Sequence, residues 1–302
     1  MRGPGKRARA VPGGVPTAVV TGGASGIGAA IAAGLVRRGC AVTLADIDAE
    51  AVRRTAAELG ADAAVLDVAD ADAVRALIHR VRDRDGRLDY VFNNAGIFVA
   101  GRTETLSAEH WDRVLAVNLH GVVHGVHAAY PVMVEQGYGQ IVNVASVVGL
   151  APVPFMLPYS TTKHAVVGLS LALRAEAARH GVRVNVVCPG FTDTPLLERV
   201  NAGLARTGME DGWRRIARRF QLRLYPVDRL ADDILAGVAR DKAVIVAPRR
   251  ARLLWHLYRL APAATVRVTA RSRGLLPSGG PREHVTRTGD KAVPPRPPAP
   301  PR

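Results

Sequence analysis

The sequence predicts an α/β fold in which about seven parallel strands form one doubly wound sheet. Apolar runs of strand length alternate along the chain with longer segments in which Ala, Leu, Arg and Glu follow helical spacing. The strand-like runs are apolar throughout, which is typical of parallel strands that helices cover on both faces. With 302 residues and 48% hydrophobic content, the chain can bury such a sheet in a single domain.

The elements follow one another in a regular order. The predicted strands are residues 17–22, 40–46, 63–68, 88–94, 139–146, 182–190 and 243–248. The predicted helices are residues 26–38, 48–59, 70–84, 107–136, 159–180 and 229–240. This alternation favours the strand order 3-2-1-4-5-6, with the seventh strand added at the end.

The positive charge is concentrated at the two ends of the chain. Of the net charge of +15, residues 1–10 carry +4 and residues 249–302 carry +10, which leaves the body between them nearly neutral. We therefore predict a flexible basic arm at 1–14 and the folded domain at 15–248. A basic amphipathic extension should follow at 249–273, and a disordered Pro/Arg-rich tail at 274–302.

Several classes of protein are disfavoured. The N-terminal segment lacks the apolar core of a secretory signal. The most membrane-like stretch, 141–158, contains Asn143, Ser146 and three prolines, which a spanning helix tolerates poorly. Cys40 and Cys188 lie in strand-like runs, where buried residues of a reducing compartment are expected rather than a disulfide. His120, His124 and His127 share a predicted helix without carboxylate or cysteine partners, so no metal site is expected.

The turn after the first strand has four glycines in seven residues, "GGASGIG". Gly22, Gly26 and Gly28 stand where that strand ends and a helix begins, so the backbone can turn sharply and its free N–H groups can face a pyrophosphate. The segment has no lysine of a P-loop. By itself the cluster is also compatible with a simple tight turn.

Asp46 favours the interpretation as a dinucleotide site. It ends the second strand, eighteen residues beyond Gly28, where a carboxylate can accept hydrogen bonds from an adenosine ribose. The same carboxylate repels a 2′-phosphate, and neither Ser25 nor Ile47 offers a positive charge to attract one. The expected cofactor is therefore NAD, with NADP the less favoured alternative.

A second group of residues carries acid–base chemistry. Tyr159 and Lys163 stand four residues apart on a predicted helix, so both side chains project from one face. An ammonium close to a phenol lowers the pKa of the phenol and makes it a usable acid or base. Ser146 ends the preceding strand and can polarise a carbonyl. Taken alone, the Tyr–Lys pair is also compatible with a surface contact.

Together these residues resemble the short-chain dehydrogenase/reductase family over about residues 15–248, with a Rossmann-type fold. The matching motifs, in the family's order, are "TGGASGIG" (21–28), "LDV" (66–68), "NNAG" (93–96), "VNLHG" around Asn118, Ser146, "YSTTK" (159–163) and "PGFTDT" (189–194). Thr192 stands where members often have Val or Ile, at a position expected to act through its backbone.

The resemblance implies a role for each matching residue. Tyr159 is expected to be the proton donor or acceptor, Ser146 to orient the substrate oxygen, and Lys163 to bind the nicotinamide ribose and lower the pKa of Tyr159. Asn118 is expected to hold a water of the proton relay. The resemblance and the motifs together place the cofactor against Gly22, Ser25, Gly26, Ile27, Gly28, Asp46, Asp67, Val68, Asn94, Ala95, Gly96, Tyr159, Lys163, Pro189, Gly190, Thr192 and Thr194.

The expected reaction is NAD-dependent interconversion of a secondary alcohol and a ketone. Apolar residues at 147–158 and 195–225, including Phe155, Met156, Leu157, Leu196 and Leu197, favour a hydrophobic substrate, although they are also compatible with packing of a lid. Two alternatives remain: an NADPH-dependent 3-oxoacyl-type reductase, which Asp46 disfavours, and a non-catalytic NAD(H) sensor acting through its basic tail, which the intact catalytic residues disfavour.

The resemblance implies a homodimer or homotetramer formed through helices 107–136 and 159–180. The two cysteines suit a reducing compartment, so the expected location is cytoplasmic, either free or peripheral to a membrane surface. Residues 249–260 predict an amphipathic helix that either docks on the body or a neighbouring subunit, which we favour, or lies on an anionic membrane surface. Specific nucleic-acid binding is not expected, because no recognised module is present.

Overall fold

The computed structural model describes residues 13–151, 153–221 and 223–271. In this part of the chain one seven-stranded parallel sheet has the order β3-β2-β1-β4-β5-β6-β7. The strands are β1 Thr17–Thr21, β2 Ala41–Asp46, β3 Asp62–Val65, β4 Tyr90–Asn93, β5 Gly139–Val144, β6 Val182–Pro189 and β7 Val244–Ala247. The predicted single α/β domain and its strand order are confirmed.

Helices cover both faces of the sheet. They are α1 Gly26–Val36, α2 Ala49–Leu59, α3 Ala71–Asp85, α4 Ala108–Leu115, α5 Gly121–Gln136, α6 Leu157–Ala177, α7 Trp213–Gln221, α8 Val227–Ala239, α9 Arg249–Leu260 and α10 Pro262–Arg271. One apolar core lies between the sheet and α3, α5 and α6, and a second lies between the sheet and α1, α2 and α8. Since β1 and β4 are neighbours that lead to opposite faces, a crevice opens at their carboxyl ends.

The helix predicted over 107–136 is not continuous, which corrects the sequence prediction. α4 ends at Leu115, a π-helix occupies Ala116–His120, and α5 begins at Gly121. A π-turn accommodates an extra residue, and here it holds Asn118 fully buried. The hydrophobic spacing continues through the break, so the sequence pattern does not show it.

The chain continues beyond the sheet as α9 and α10. The predicted basic arm at 1–14 lies largely outside the described residues, and the predicted disordered tail at 274–302 lies wholly outside them. Among the helices that the structure describes, none is both long and apolar enough to cross a membrane.

Candidate active site

A cleft of about 420 Å³ opens at the carboxyl ends of the strands. Of the residues predicted to bind cofactor or substrate oxygen, its wall contains Gly22, Ser25, Gly26, Ile27, Asp46, Asp67, Val68, Asn94, Ala95, Gly96, Ser146, Tyr159, Lys163, Pro189, Gly190, Thr192 and Thr194. Gly28 and Asn118 lie behind this wall. The fold therefore brings together residues that are far apart in the sequence, since Gly22 and Thr194 are separated by 172 positions.

The glycine turn forms one end of the cleft. A Cβ placed on Gly28 would lie 2.0 Å from the Gly22 carbonyl oxygen, and Gly22 itself has a positive φ of 64°. Only glycine allows this close return of the backbone. α1 begins here, and the side chain of its N-cap residue Ser25 makes no capping hydrogen bond, so the first N–H groups remain available to an anion.

Asp46 is held in a fixed orientation beside this turn. Its Oδ2 accepts a hydrogen bond from the Ala24 N–H at 3.0 Å, and its Oδ1 accepts one from the Asp48 N–H at 3.1 Å. The carboxylate thus links the end of β2 to the glycine turn. Ile47, the next residue, lines the same cleft and is 58% exposed.

The end of β4 is tied to the end of β1. Asn94 Nδ2 donates to the carbonyl oxygens of Thr21 and Gly22 at 2.9 and 3.1 Å. In return, Thr21 Oγ1 accepts hydrogen bonds from the N–H groups of Asn94 and Ala95. These bonds fix the backbone of both strands around the glycine turn.

Asn118 supports the floor of the cleft from behind. Its Oδ1 accepts from the Ile97 N–H at 2.8 Å and its Nδ2 donates to the Ile97 carbonyl at 2.9 Å. A Cβ on Gly96 would lie 3.2 Å from Asn118 Oδ1, so the two residues pack closely. The side chain therefore positions the segment after β4, and its part in a water relay stays a prediction.

Ser146, Tyr159 and Lys163 lie on one wall of the cleft. The Ser146 hydroxyl donates to the Pro189 carbonyl and accepts from the Val148 N–H, both at the long distance of 3.4 Å. A hydroxyl held this loosely can reorient toward a substrate oxygen. Phe98 packs edge-on against the Tyr159 ring, with 5.1 Å between the ring centroids.

Burial shifts the pKa values of Tyr159 and Lys163 in opposite directions. It raises the pKa of Tyr159 to about 12, against a smaller opposing effect of its hydrogen bond with Ser146. Burial also lowers the pKa of Lys163 to about 8. Lys163 Nζ donates to the Val144 carbonyl at 3.0 Å and lies 5.6 Å from the Tyr159 ring centroid. In this arrangement burial raises the pKa of Tyr159, in contrast to the expected lowering by Lys163.

The far end of the cleft is apolar. Its wall here consists of Phe98, Val148, Met156, Leu196, Leu197 and Ala202. Trp213 of α7 packs edge-on against Phe98 with 4.8 Å between centroids. α7 thus packs on this apolar cluster through Trp213.

Some substrate-site predictions differ from the structure. Phe155 and Leu157 do not line the cleft, and Leu157 is 44% exposed because it starts α6 on the outer side. Phe98, Arg113 and Arg199 line it although the sequence reasoning did not select them. Phe98 follows the "NNAG" motif by two positions, and this closeness to a cofactor motif is the sequence feature that could have identified it as a cleft residue.

Family, sequence and structure comparisons all match this chain to dehydrogenases, reductases or other oxidoreductases. The family model for short chain dehydrogenase matches residues 16–205. The probable oxidoreductase EphD of Mycobacterium tuberculosis is 41% identical over 263 residues, which cover 84% of this chain but only 44% of that protein. The chain thus spans less than half the length of this relative.

Many solved structures share the fold, among them the following two. A short chain dehydrogenase/reductase from Burkholderia phymatum in complex with NAD has a TM-score of 0.73 and 29% identity, over 83% of this chain and 95% of that one. An actinorhodin polyketide ketoreductase with NADPH has a TM-score of 0.68 and 33% identity, over 77% of this chain and 95% of that one.

Proposed function

Because the chain belongs to the short-chain dehydrogenase family of oxidoreductases, we propose that it interconverts a secondary alcohol and a ketone with a nicotinamide dinucleotide. One observation carries this proposal: Ser146, Tyr159 and Lys163 line the same cleft as the glycine turn before α1. The cleft therefore combines groups for proton transfer with a backbone suited to a pyrophosphate.

The residues present fit a dinucleotide. The close backbone approach at Gly28 leaves room beside the uncapped start of α1, and the oriented carboxylate of Asp46 is suited to ribose hydroxyls. Asn94, Ala95 and Gly96 would line the middle of the cofactor, and Pro189, Gly190 and Thr194 its nicotinamide end. When bound, this cofactor supplies or accepts the hydride.

We assign the proton transfer to Tyr159. In the reductive direction its phenol donates a proton to the carbonyl oxygen, and in the oxidative direction the phenolate takes the proton from the alcohol. Ser146 holds the same oxygen through its hydroxyl. A phenol is protonated near neutral pH, and burial raises the pKa of Tyr159 further above its usual value, so Tyr159 is ready to act as the acid.

Tyr159→Phe tests this assignment. The phenylalanine ring preserves the contact with Phe98 but has no proton to transfer, so turnover should fall by about 10²–10⁴-fold. Binding of NADH, followed by its effect on the melting temperature, should be retained. Tyr90→Phe, at a half-buried tyrosine in β4 outside the cleft, is the matched control. Full activity of the Tyr159 variant would contradict the assignment.

We propose NAD as the preferred cofactor because Asp46 lies where a 2′-phosphate would meet a negative charge. The test compares the affinities for NADH and NADPH in the native protein and in Asp46→Asn. The native protein should bind NADH more tightly, and the variant should lose most of that preference. Asp48→Asn, at the exposed N-cap of α2, should leave the ratio unchanged. A native preference for NADPH would refute the role of Asp46.

NADPH-dependent reduction of 3-oxoacyl chains is the second candidate function. The similarity to the actinorhodin ketoreductase with NADPH favours it, and Asp46 speaks against it. The apolar far end of the cleft supports a hydrophobic substrate in either case. If NADPH is preferred, 3-oxoacyl thioesters are the first substrates to assay; if NADH is preferred, hydrophobic secondary alcohols with NAD⁺ come first. Pairing of subunits through the helices of 107–136 and 159–180 and a cytoplasmic location stay predictions.

A further inference from the structure

We propose that α9 and α10 form a docking surface for an anionic lipid bilayer. The two helices span residues 249–271, and this stretch contains six arginines and neither Asp nor Glu. None of these arginines takes part in the ion pairs found within the described residues. The surface therefore has a strong positive charge that the rest of the described chain leaves unneutralised.

The same helices expose an unusual amount of apolar surface. Among the described residues, ten large hydrophobic side chains are exposed, and five of them lie on α9 and α10. These five are Leu253 at 64%, Leu257 at 51%, Leu260 at 84%, Val266 at 47% and Val268 at 65% exposure. α10 has no buried residue at all. A helix of ten residues has marginal stability in water by itself, so a covering partner is expected to stabilise it.

The two sides of α9 have different roles. Ala251 and Trp255 pack against the apolar core, and Arg252 Nε donates to the Val246 carbonyl of β7 at 3.2 Å. At 100° per residue, Leu253, Leu257 and Leu260 lie on the opposite side of the helix. α9 is therefore fixed to the body by one side and presents its leucines away from the body.

Arginines flank the exposed leucines. On the helical wheel, Arg249 and Arg250 stand on either side of the leucine face, and both are exposed. An apolar strip with arginines at its edges matches the boundary between acyl chains and anionic headgroups, because the leucines can enter the apolar layer while the guanidinium groups stay with the phosphates.

A lipid surface fits this pattern better than a second copy or a nucleic acid. Two copies of the surface would bring like charges together without an acidic residue between them. A nucleic acid would engage the arginines through its phosphates but would leave the leucines in water. Of these three partners, only an anionic bilayer matches both the charge and the apolar face.

The experiment is co-sedimentation of the full chain with sucrose-loaded vesicles. One vesicle preparation is phosphatidylcholine alone, and the other is an equal mixture of phosphatidylcholine and phosphatidylglycerol. We expect partitioning into the mixed vesicles only. Arg249→Gln with Arg250→Gln should weaken it by about fivefold per arginine. Leu253→Ser with Leu257→Ser should weaken it by about tenfold per leucine.

Matched controls change similar residues elsewhere. Val15→Ser with Val65→Ser removes two exposed apolar side chains from the body, and Arg53→Gln with Arg80→Gln removes two exposed arginines. Neither control should change partitioning. Circular dichroism and NADH binding of every variant should match those of the native protein, because none of these residues lies in the cleft.

Three outcomes would overturn the proposal. Equal binding to both vesicle types would exclude recognition of anionic lipid. Binding that survives the leucine substitutions and disappears at high salt would show that charge alone attracts the chain to the vesicles. Competition by a DNA duplex, with the leucine variants behaving as the native protein, would identify nucleic acid as the partner instead. None of these readouts depends on dehydrogenase activity.

Discussion

Replacement of Lys163 by methionine should stabilise the cofactor-free protein. Lys163 is 4% exposed, its Nζ donates to the Val144 carbonyl, and no carboxylate pairs with it among the ion pairs of the described residues. A buried charge without a counter-charge is costly for the folded state. Methionine has a similar length and no charge, so it should fill the same space without this cost.

The pKa gives the magnitude and the sign. Burial lowers the pKa of Lys163 from 10.5 to about 8, and each tenfold change in acidity corresponds to about 1.4 kcal/mol. Below about pH 8 both folded and unfolded chains hold the proton, and the folded state bears the full cost of about 3 kcal/mol. Between about pH 8 and pH 10.5 only the unfolded chain holds it, so the stability of the native protein rises with pH. Above this window the cost is gone.

Loss of the hydrogen bond to Val144 offsets about 1 kcal/mol of the gain. Lys163→Met should therefore raise the free energy of unfolding by about 2 kcal/mol at neutral pH, and this advantage should shrink steadily toward about pH 10. Burial also raises the pKa values of Tyr159 and Cys188 to about 12, which lowers stability at high pH. Both residues are present in both proteins, so their effect largely cancels in the comparison.

Urea unfolding without cofactor, from about pH 7 to pH 10, measures this difference. Lys242→Met, at a partly exposed lysine, is the control and should show no comparable trend with pH. A variant that is less stable than the native protein at neutral pH would refute the reasoning. A stability gain that does not change with pH would also refute it, because improved packing would then be the cause. The stabilised variant should nevertheless lose activity, since Lys163 belongs to the proposed site.

Two further predictions concern the scaffold. Gly28→Ala should displace the glycine turn, because its Cβ would lie 2.0 Å from the Gly22 carbonyl oxygen. NADH should then no longer raise the melting temperature of the variant. In the control Gly168→Ala, where the new Cβ meets open space on α6, NADH should still raise it. Asp89→Ala removes the carboxylate that accepts hydrogen bonds from the buried Arg87 guanidinium and the Thr17 N–H, so urea unfolding should show a loss of about 3 kcal/mol. Asp62→Ala, which breaks an exposed ion pair, should cost less than about 1 kcal/mol, and equal losses would contradict the importance of burial.

Much of the fold was predictable because its signals are local. Uniformly apolar strands indicate a sheet covered on both faces, and their alternation with helices restricts the connections to a few topologies. The glycine turn and Asp46 were predictable for the same reason, since each stands at the end of a strand and carboxyl ends of parallel strands share one edge. The spacing of Tyr159 and Lys163 placed both on one helical face.

Other features depend on contacts that no local pattern records. The π-helix at Ala116–His120 arises where Asn118 pairs with Ile97, a partner 21 positions away. Phe98 enters the cleft because Trp213 and Tyr159 pack around it. These positions required the folded chain.

The sequence by itself determined the α/β architecture, the strand order and most of the motif residues that meet at the cleft, because periodicity and motif order are properties of the chain. The tertiary structure decided the direction in which the pKa values of Tyr159 and Lys163 shift, since both depend on how completely the surrounding core excludes water. It also decided which side of α9 packs on the body. An amphipathic pattern shows that a helix has two faces, but only the neighbours in space determine which face remains exposed.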